Sequence, residues 1–499
     1  MTLSPTPAYL ELCRRNQRHY RLHHAIGILH WDSATMMPPR ASGARADALA
    51  ELESLLREWQ TDPALATLLA QADAESLDPL QRANLRESRR VWLRATAVPP
   101  ALATQRSLVA MRCEHAWREQ RHRHDWPGFL ENFKPLVELV RREAGCLADA
   151  LDVGRYDALL DMHEPGLRDS EVSRLLGHVR NWLPGLIGQI RERQRSQPCL
   201  IPQGPFALAA QRDLSEAVMR ALGFDFQAGR LDVSSHPFCG GTFEDIRLTT
   251  RYSEYDPLAG LTATIHETGH ALYHMGLPES LREQPVGAPR WGAIHESQAL
   301  MLEKQLGLSP AFIRWLAPLL RQHLGEQPAF ATDNLIHLFQ RVEPGFIRVD
   351  ADEVTYPAHV ILRYDIERAL IEGEIEAEDI PVRWNAAMRE LLGIDPGELY
   401  GQGCLQDMHW ACGMFGYFPG YLLGAMYAAQ WAARIRREQP DLEQQVEAGE
   451  FGVVIDWLRQ HIHRHASRYD SNELVRIASG EALDPDYLRQ HLMARYLDD

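Results

Sequence analysis

The segment TIHETGHALY, residues 264–273, holds two histidines four positions apart with a glutamate beside the first: His266, Glu267 and His270. On a helix, residues i and i+4 share one face, so two imidazoles at this spacing can reach a single metal ion. Glu267 then projects beside them, placed to take a proton from a water attacking a substrate carbonyl. The flanks ask for a helix. Asp256 is a capping residue type ahead of Pro257, and Leu258, Leu261, Ile265 and Leu272 recur at helical spacing. Gly276 and Pro278 end the run. His274 continues the row two turns from His266 and reads as a helix-end or supporting residue. The alternative is two ordinary histidines on a helix.

A catalytic zinc ion takes three protein ligands and keeps one position open. The third ligand must come from another segment. The stretch WGAIHESQALMLEKQLG offers Glu296 and Glu303, with His295 adjacent. The two glutamates are seven apart, hence on one helical face, and spacing leaves both in play.

Most of the chain reads at helical period. AYLELCRRNQRHYRLHHAIGILHW, ARADALAELESLLREWQ and SEVSRLLGHVRNWLPGLIGQIRERQRSQ each carry one apolar stripe opposite a charged face. Strand-like character concentrates in LDVSSHPFCGGTFEDIRLTTRY, with a turn expected at Gly240-Gly241. The fold expected is therefore mainly α with a small β element just ahead of the histidine helix. No flexible linker is evident, so residues 1–499 read as one domain, with a soft lobe boundary near 230.

The 499 residues suffice for a large core, and 45% apolar with 24% charged residues is ordinary for a soluble globular chain. A net charge of −16 argues against a nucleic-acid partner, which needs clustered Lys and Arg. Seven scattered cysteines without a CxxC pair argue against a disulfide framework and fit a reducing cytoplasm. MTLSPTPAYLELCRRNQRHY lacks the pattern of a secretory leader. GMFGYFPGYLLGAMYAAQWAA is apolar, but Pro419 and four glycines argue against a membrane span. Arginines interleave the histidine clusters at His115, His122, His124 and at His461, His463, His465, and both are expected on the surface.

Six short segments, in order, resemble the motifs of the Taq-type thermostable metallocarboxypeptidases. They are HPF at His236, DIRLT with Asp245, Arg247 and Thr249, HETGH, HESQ from His295, IRVDAD with Arg348 and Asp352, and GCLQDMHW with Gln406, Asp407 and His409. HWDSATMMPP and YDALLDMHEPG extend the likeness toward the N-terminus. Ala299 and Leu302 depart from the expected Ser and aromatic residue. The resemblance maps the third ligand to Glu296. It implies a helical, deeply clefted fold similar to neurolysin-like oligopeptidases and angiotensin-converting enzyme, and a homodimer.

It also implies a zinc carboxypeptidase, in which cobalt can substitute, acting on peptides with a free C-terminus and releasing single amino acids. His266, His270 and Glu296 are then the metal ligands and Glu267 the general base and later proton donor. The segment GMFGYFPGYLLG offers Tyr417 and Tyr421 as hydroxyl donors to the developing oxyanion, with Tyr421 preferred and His409 a further candidate. The terminal carboxylate calls for an arginine. Arg348 is expected to supply it as an unneutralised cation, with pairing to Asp350 or Asp352 the alternative. Arg247 is the second choice, more naturally paired with Asp245, and His236 belongs to the same substrate-facing motif set. Two other classes of function stay open: an oligopeptidase or dipeptidyl carboxypeptidase of the wider fold, and a peptide-binding scaffold with a relic metal site. The intact Glu267 speaks against the scaffold.

Overall fold

A computed structural model describes residues 7–498. Residues 1–6 and 499, part of the single-domain expectation and of the leader reading, lie outside the described residues. Nine helices lead to the sheet: α1 (Pro7–Thr35), α2 (Ser42–Gln60), α3 (Ala64–Asp73), α4 (Pro79–Thr96), α5 (Pro100–Arg123), α6 (Trp126–Leu151), α7 (Arg155–His163), α8 (Asp169–Gln194) and α9 (Leu208–Ala221). Strands β1 (Gly229–Val233), β2 (Phe238–Thr242) and β3 (Asp245–Thr250) follow. The second half is helical again: α10 (Pro257–Met275), α11 (Ala293–Leu300), α12 (Pro310–Leu324), α13 (Thr332–Phe339), α14 (Tyr356–Glu372), α15 (Ile380–Leu392), α16 (Pro419–Glu438), α17 (Leu442–Glu447), α18 (Gly452–His461), α19 (Ser471–Ser479) and α20 (Asp486–Tyr496). The mainly α expectation and its small β element are both met.

Local chemistry starts these helices. Asp78 and Gln81 form a reciprocal capping box ahead of α4, whose first residue is Pro79. Asp256 accepts from the Ala259 amide at 3.1 Å and Pro257 opens α10, as its sequence requires. Along α6, Phe129, Phe133, Leu136, Val140, Ala144 and Leu147 make a buried stripe three or four residues apart. That stripe joins the main core, which also contains Trp384, Trp431, Phe312 and Phe418. A separate apolar cluster around Tyr9, Leu12, Leu65, Leu69 and Leu85 holds the N-terminal helices together.

The sheet order is β1-β3-β2, with β1 parallel and β2 antiparallel to β3. Ile246 and Leu248 of β3 are fully buried and pack with Ala271 of α10, which fixes the sheet on the histidine helix. The turn does not fall at Gly240-Gly241. Both lie within β2, and the chain reverses at Phe243-Glu244. Gly241 has φ 120°, and a Cβ there would sit 2.0 Å from the Asp245 carbonyl oxygen. Close backbone approach, not the turn, requires that glycine.

Glu164 joins three distant segments. It follows α7, and its carboxyl group accepts from the Ala293 amide at the start of α11, at 2.6 Å, and from the Ser471 hydroxyl of α19. Burial pushes its pKa up to about 7, against the lowering effect of those two hydrogen bonds. An acid whose folded pKa is raised above the ordinary 4.5 stabilises the fold at low pH, and that stability falls as pH rises through about 7. Thermal unfolding of the wild type should therefore lose stability between pH 4.5 and 7, and Glu164→Gln should flatten that slope. An unchanged slope in the variant would remove Glu164 from the balance.

Candidate metal and active site

His266 and His270 lie one turn apart on α10, their ring centroids 5.0 Å apart and nearly perpendicular. Glu296 arrives from α11. One ligand-capable atom from each of the three residues can be chosen so that all lie within 4.8 Å of one another. No other such group of His, Cys, Asp or Glu occurs among the described residues. Two glycines let the third ligand in. A Cβ on Gly269 would lie 2.5 Å from the Gln298 carbonyl oxygen and 2.6 Å from Ala299 Cα. A Cβ on Gly424 of α16 would lie 2.9 Å from Glu296 Cγ. Both α10 and α16 thus press on α11 at backbone distance. Gly269 costs helix propensity, so its place in mid-helix has this packing reason.

The outer ring nitrogens have fixed partners. His270 Nδ1 lies 3.1 Å from the His295 carbonyl oxygen. A carbonyl only accepts, so Nδ1 carries the proton and Nε2 keeps its lone pair. His266 Nδ1 lies 2.8 Å from Glu303 Oε2. The two glutamates that spacing left open therefore divide the work: Glu296 faces both imidazoles, and Glu303 orients one of them. Glu303 sits in a π-helical turn, Met301–Leu306, that continues α11. Behind His270, His295 stacks at 4.2 Å and is itself covered by Trp291 at 4.6 Å. His274 lies 3.0 Å from His295, nitrogen to nitrogen, in keeping with a supporting role.

The electrostatics suit a cation. Glu267, Glu296 and Glu303 converge on the two imidazoles, and one ammonium, Lys304, pairs with Glu303 at 2.6 Å from the far side. Burial pushes Glu267 up to about 7, with His266 opposing and the other two carboxylates adding. For His266 burial acts downward, but the Glu303 hydrogen bond and the surrounding carboxylates outweigh it, and its pKa rises to about 9. His270, buried beside His295 and His266, is held well below the ordinary value. Carboxylates crowded around two imidazoles are the donor set for a divalent transition metal, whose binding displaces the His266 ring proton, and the residues present fit one.

The three ligand candidates and Glu267 open into a cavity of about 1480 Å³. Tyr417 and Tyr421 line it as well, their rings 5.3 Å apart. Edge strand β2 forms part of the wall, and α1 supplies His19, His23, His24 and Trp31. Of these, only the HWD stretch drew notice in sequence; a helical stripe of histidines carries no mark of the cavity it faces.

Other expected residues are placed differently. Arg348 is not a free cation. Its guanidinium donates to both Asp407 oxygens, at 3.1 and 3.0 Å, and to the Tyr356 hydroxyl at 3.0 Å. Arg363 shares the same carboxylate. The partner is Asp407, not Asp350 or Asp352, because the GCLQDMHW loop folds over the arginine. Arg348 does not reach the cavity wall but lies 5.1 Å from the Tyr421 ring. Arg247 lines the cavity, yet pairs with Asp245 at 2.7 and 2.9 Å and is capped by Trp31 at 4.5 Å.

His409 packs behind the tyrosines, 5.6 Å from Tyr417 and 4.6 Å from Phe418, and burial pushes its pKa down to about 4. His236 is exposed ahead of β2 and stays off the cavity wall; its carbonyl accepts from Ser234. His463, expected on the surface, is buried against Tyr273 and hydrogen-bonded to Gln298 at 3.0 Å. Arginines and histidines surround it in sequence, but its contact with Gln298 of α11 holds it inward. Glu367 ties the tyrosine-bearing loop to α14, accepting from Tyr156, Trp410 and the Gly416 amide.

The pattern of the Carboxypeptidase Taq (M32) metallopeptidase family matches residues 11–496. The Thermostable carboxypeptidase 1 of Thermus thermophilus is 36% identical over 492 residues, covering 96% of each chain. Among solved structures, Trypanosoma cruzi metallocarboxypeptidase 1 superposes with a TM-score of 0.97 at 41% identity, covering 98% of this chain and 99% of that one. A carboxypeptidase of Pyrococcus furiosus gives 0.94 at 32% identity, covering 99% of each.

The glycine at 269 is open to a direct check. Gly269→Ala should lower stability by about 1–3 kcal/mol despite its better helix propensity. It should also displace Glu296 and weaken metal binding. Gly240→Ala, where a Cβ would meet nothing within 4 Å, is the folding control. Denaturant midpoints and metal stoichiometry read both effects.

Proposed function

The chain belongs to the Carboxypeptidase Taq (M32) metallopeptidase family, and on that footing we propose that His266, His270 and Glu296 hold a catalytic zinc ion. The protein is a metal-dependent carboxypeptidase, a peptide hydrolase acting on the C-terminal bond of peptides and releasing single amino acids. The observation that carries the metal assignment is the convergence of three ligand atoms within 4.8 Å beside Glu267. Held by these three residues, a zinc ion would supply Lewis-acid polarisation of the scissile carbonyl and of the attacking water, and the same ligands would accept cobalt.

The remaining steps fall to side chains. Glu267 takes the proton of the attacking water and hands it to the leaving amine. Tyr421, supported by Tyr417, donates its hydroxyl to the oxygen on which charge develops. His409, neutral and packed behind both rings, holds them in place. The open edge of β2 offers main-chain donors and acceptors to an extended substrate. Arg348 provides the counter-charge for the terminal carboxylate from behind Tyr421: two arginines share Asp407, which leaves its field only partly cancelled. Arg247, already paired with Asp245, shapes the wall, while His236 lies off it.

Seven free cysteines and no disulfide support a reducing, cytoplasmic setting. No described helix is long and apolar enough to cross a membrane. A homodimer accompanies the family reading.

A defined hexapeptide, as free acid and as C-terminal amide, followed by mass spectrometry with and without a chelator, tests the whole. Stepwise single-residue loss from the free acid alone, abolished by chelation and restored by zinc or cobalt, is expected. Internal cleavage of both peptides would move the assignment to an oligopeptidase. Glu267→Gln should keep stoichiometric zinc and lose turnover by about three orders of magnitude or more; full activity in that variant would overturn its role.

A further inference from the structure

The last helix, α20, grips the segment that orients a metal ligand. Arg495 donates to the carbonyl oxygens of Lys304 and Gln305, the latter at 3.0 Å. Those two carbonyls belong to the π-helical turn Met301–Leu306, where Gly307 donates five residues back to Leu302 and Ser309 donates only three back, to Leu306. Such a turn departs from the regular ladder, and the carbonyls left over need donors from elsewhere. Arg495 supplies them.

The arginine is itself fixed. Its guanidinium pairs with Glu353 at 2.9 Å, and Glu353 also accepts from His491 at 2.9 Å and from the Tyr496 hydroxyl at 3.0 Å. Arg495 and Glu353 are nearly inaccessible, with side-chain exposures of 5% and 6%. Three residues of α20 therefore converge on one buried carboxylate that lies just ahead of α14. On the other side of the turn, Lys304 Nζ holds one Glu303 oxygen at 2.6 Å while the second oxygen meets His266 Nδ1 at 2.8 Å. The path from α20 to the ligand ring is continuous: Arg495, the main chain at 304 and 305, Glu303, His266.

We infer that α20 is a metal-retention element, in which Arg495 is a positioning residue that holds the π-helical turn so that Glu303 keeps His266 aimed at the ion. The inference rests on His266 being a zinc ligand, as proposed above. It assigns no chemistry to Arg495 itself. Carboxylates that orient a metal-bound histidine commonly govern affinity more than they govern the chemical step.

The test is Zn2+ affinity of the full chain, measured by competition with a fluorescent chelator on apo protein. Arg495→Met and Glu303→Gln should each weaken zinc binding roughly 10–100-fold. The double variant should be no weaker than Glu303→Gln alone, because both act through one contact. Activity lost by Arg495→Met at low free zinc should return at saturating zinc, which a general loss of folding would not allow. If Arg495→Met does not fold, Arg495→Lys takes its place: it keeps a cation beside Glu353 but cannot span two carbonyls and a carboxylate. A folded Arg495 variant with wild-type zinc affinity, or additive losses in the double variant, would overturn the role of α20. Absence of stoichiometric zinc in the wild type would instead overturn the ligand assignment.

Discussion

The distance between the backbones of α10 and α11 governs this molecule. Two histidines one turn apart define only a line of possible ion positions; a third donor must reach that line from a separate helix. A glutamate side chain is short, so its helix has to come to van der Waals contact of main chains. Gly269 makes that contact possible on one side and Gly424 holds Glu296 from the other. Around this contact the rest is arranged: the sheet buries Ile246 and Leu248 against α10, and Glu164 fixes the first amide of α11.

Such closeness concentrates charge. Three carboxylates and two imidazoles meet where water is scarce, an arrangement that burial alone disfavours. It persists because every group but Glu267 faces a partner of the right kind. Glu303 has Lys304 and His266, His270 has a main-chain carbonyl, and Glu296 faces the position where a cation belongs. A divalent ion held there, as proposed, would complete the balance and couple folding to metal binding through the same residues.

The sequence displayed this site unevenly, for physical reasons. Helix α10 was legible from Asp256-Pro257 to Gly276 because its cap, its apolar spacing and its end are all local signals. Spacing did not show the division of labour between Glu296 and Glu303, since seven residues place both on one face; the motif match pointed to Glu296, and the π-helical turn and the approach to His266 show what Glu303 does instead. The sheet was placed correctly, but its turn fell two residues beyond the Gly-Gly pair, because Gly241 serves a close approach. His463 looked like a surface residue in a basic run and is buried by a contact 165 positions away. Apart from the HWD stretch, the cavity wall built from α1 carried no local signature, since lining a shared cleft is a tertiary property.

Arg348 shows how recognition and structure compete for one side chain. An arginine that forks onto a substrate carboxylate would have to stand free until substrate arrives. Here Asp407 already occupies the fork, and Arg363 shares that aspartate. Two guanidiniums held by one carboxylate keep a partly cancelled positive field without an exposed, mobile cation. That field falls on Tyr421, which lines the cavity, and on Tyr356, whose hydroxyl accepts from Arg348. Preference for a free C-terminus can then arise from rigid hydroxyl donors backed by a buried charge. Such an arrangement loses less conformational entropy on binding than a flexible arginine would, and keeps the aromatic wall in register with Glu267 and the ligand triad.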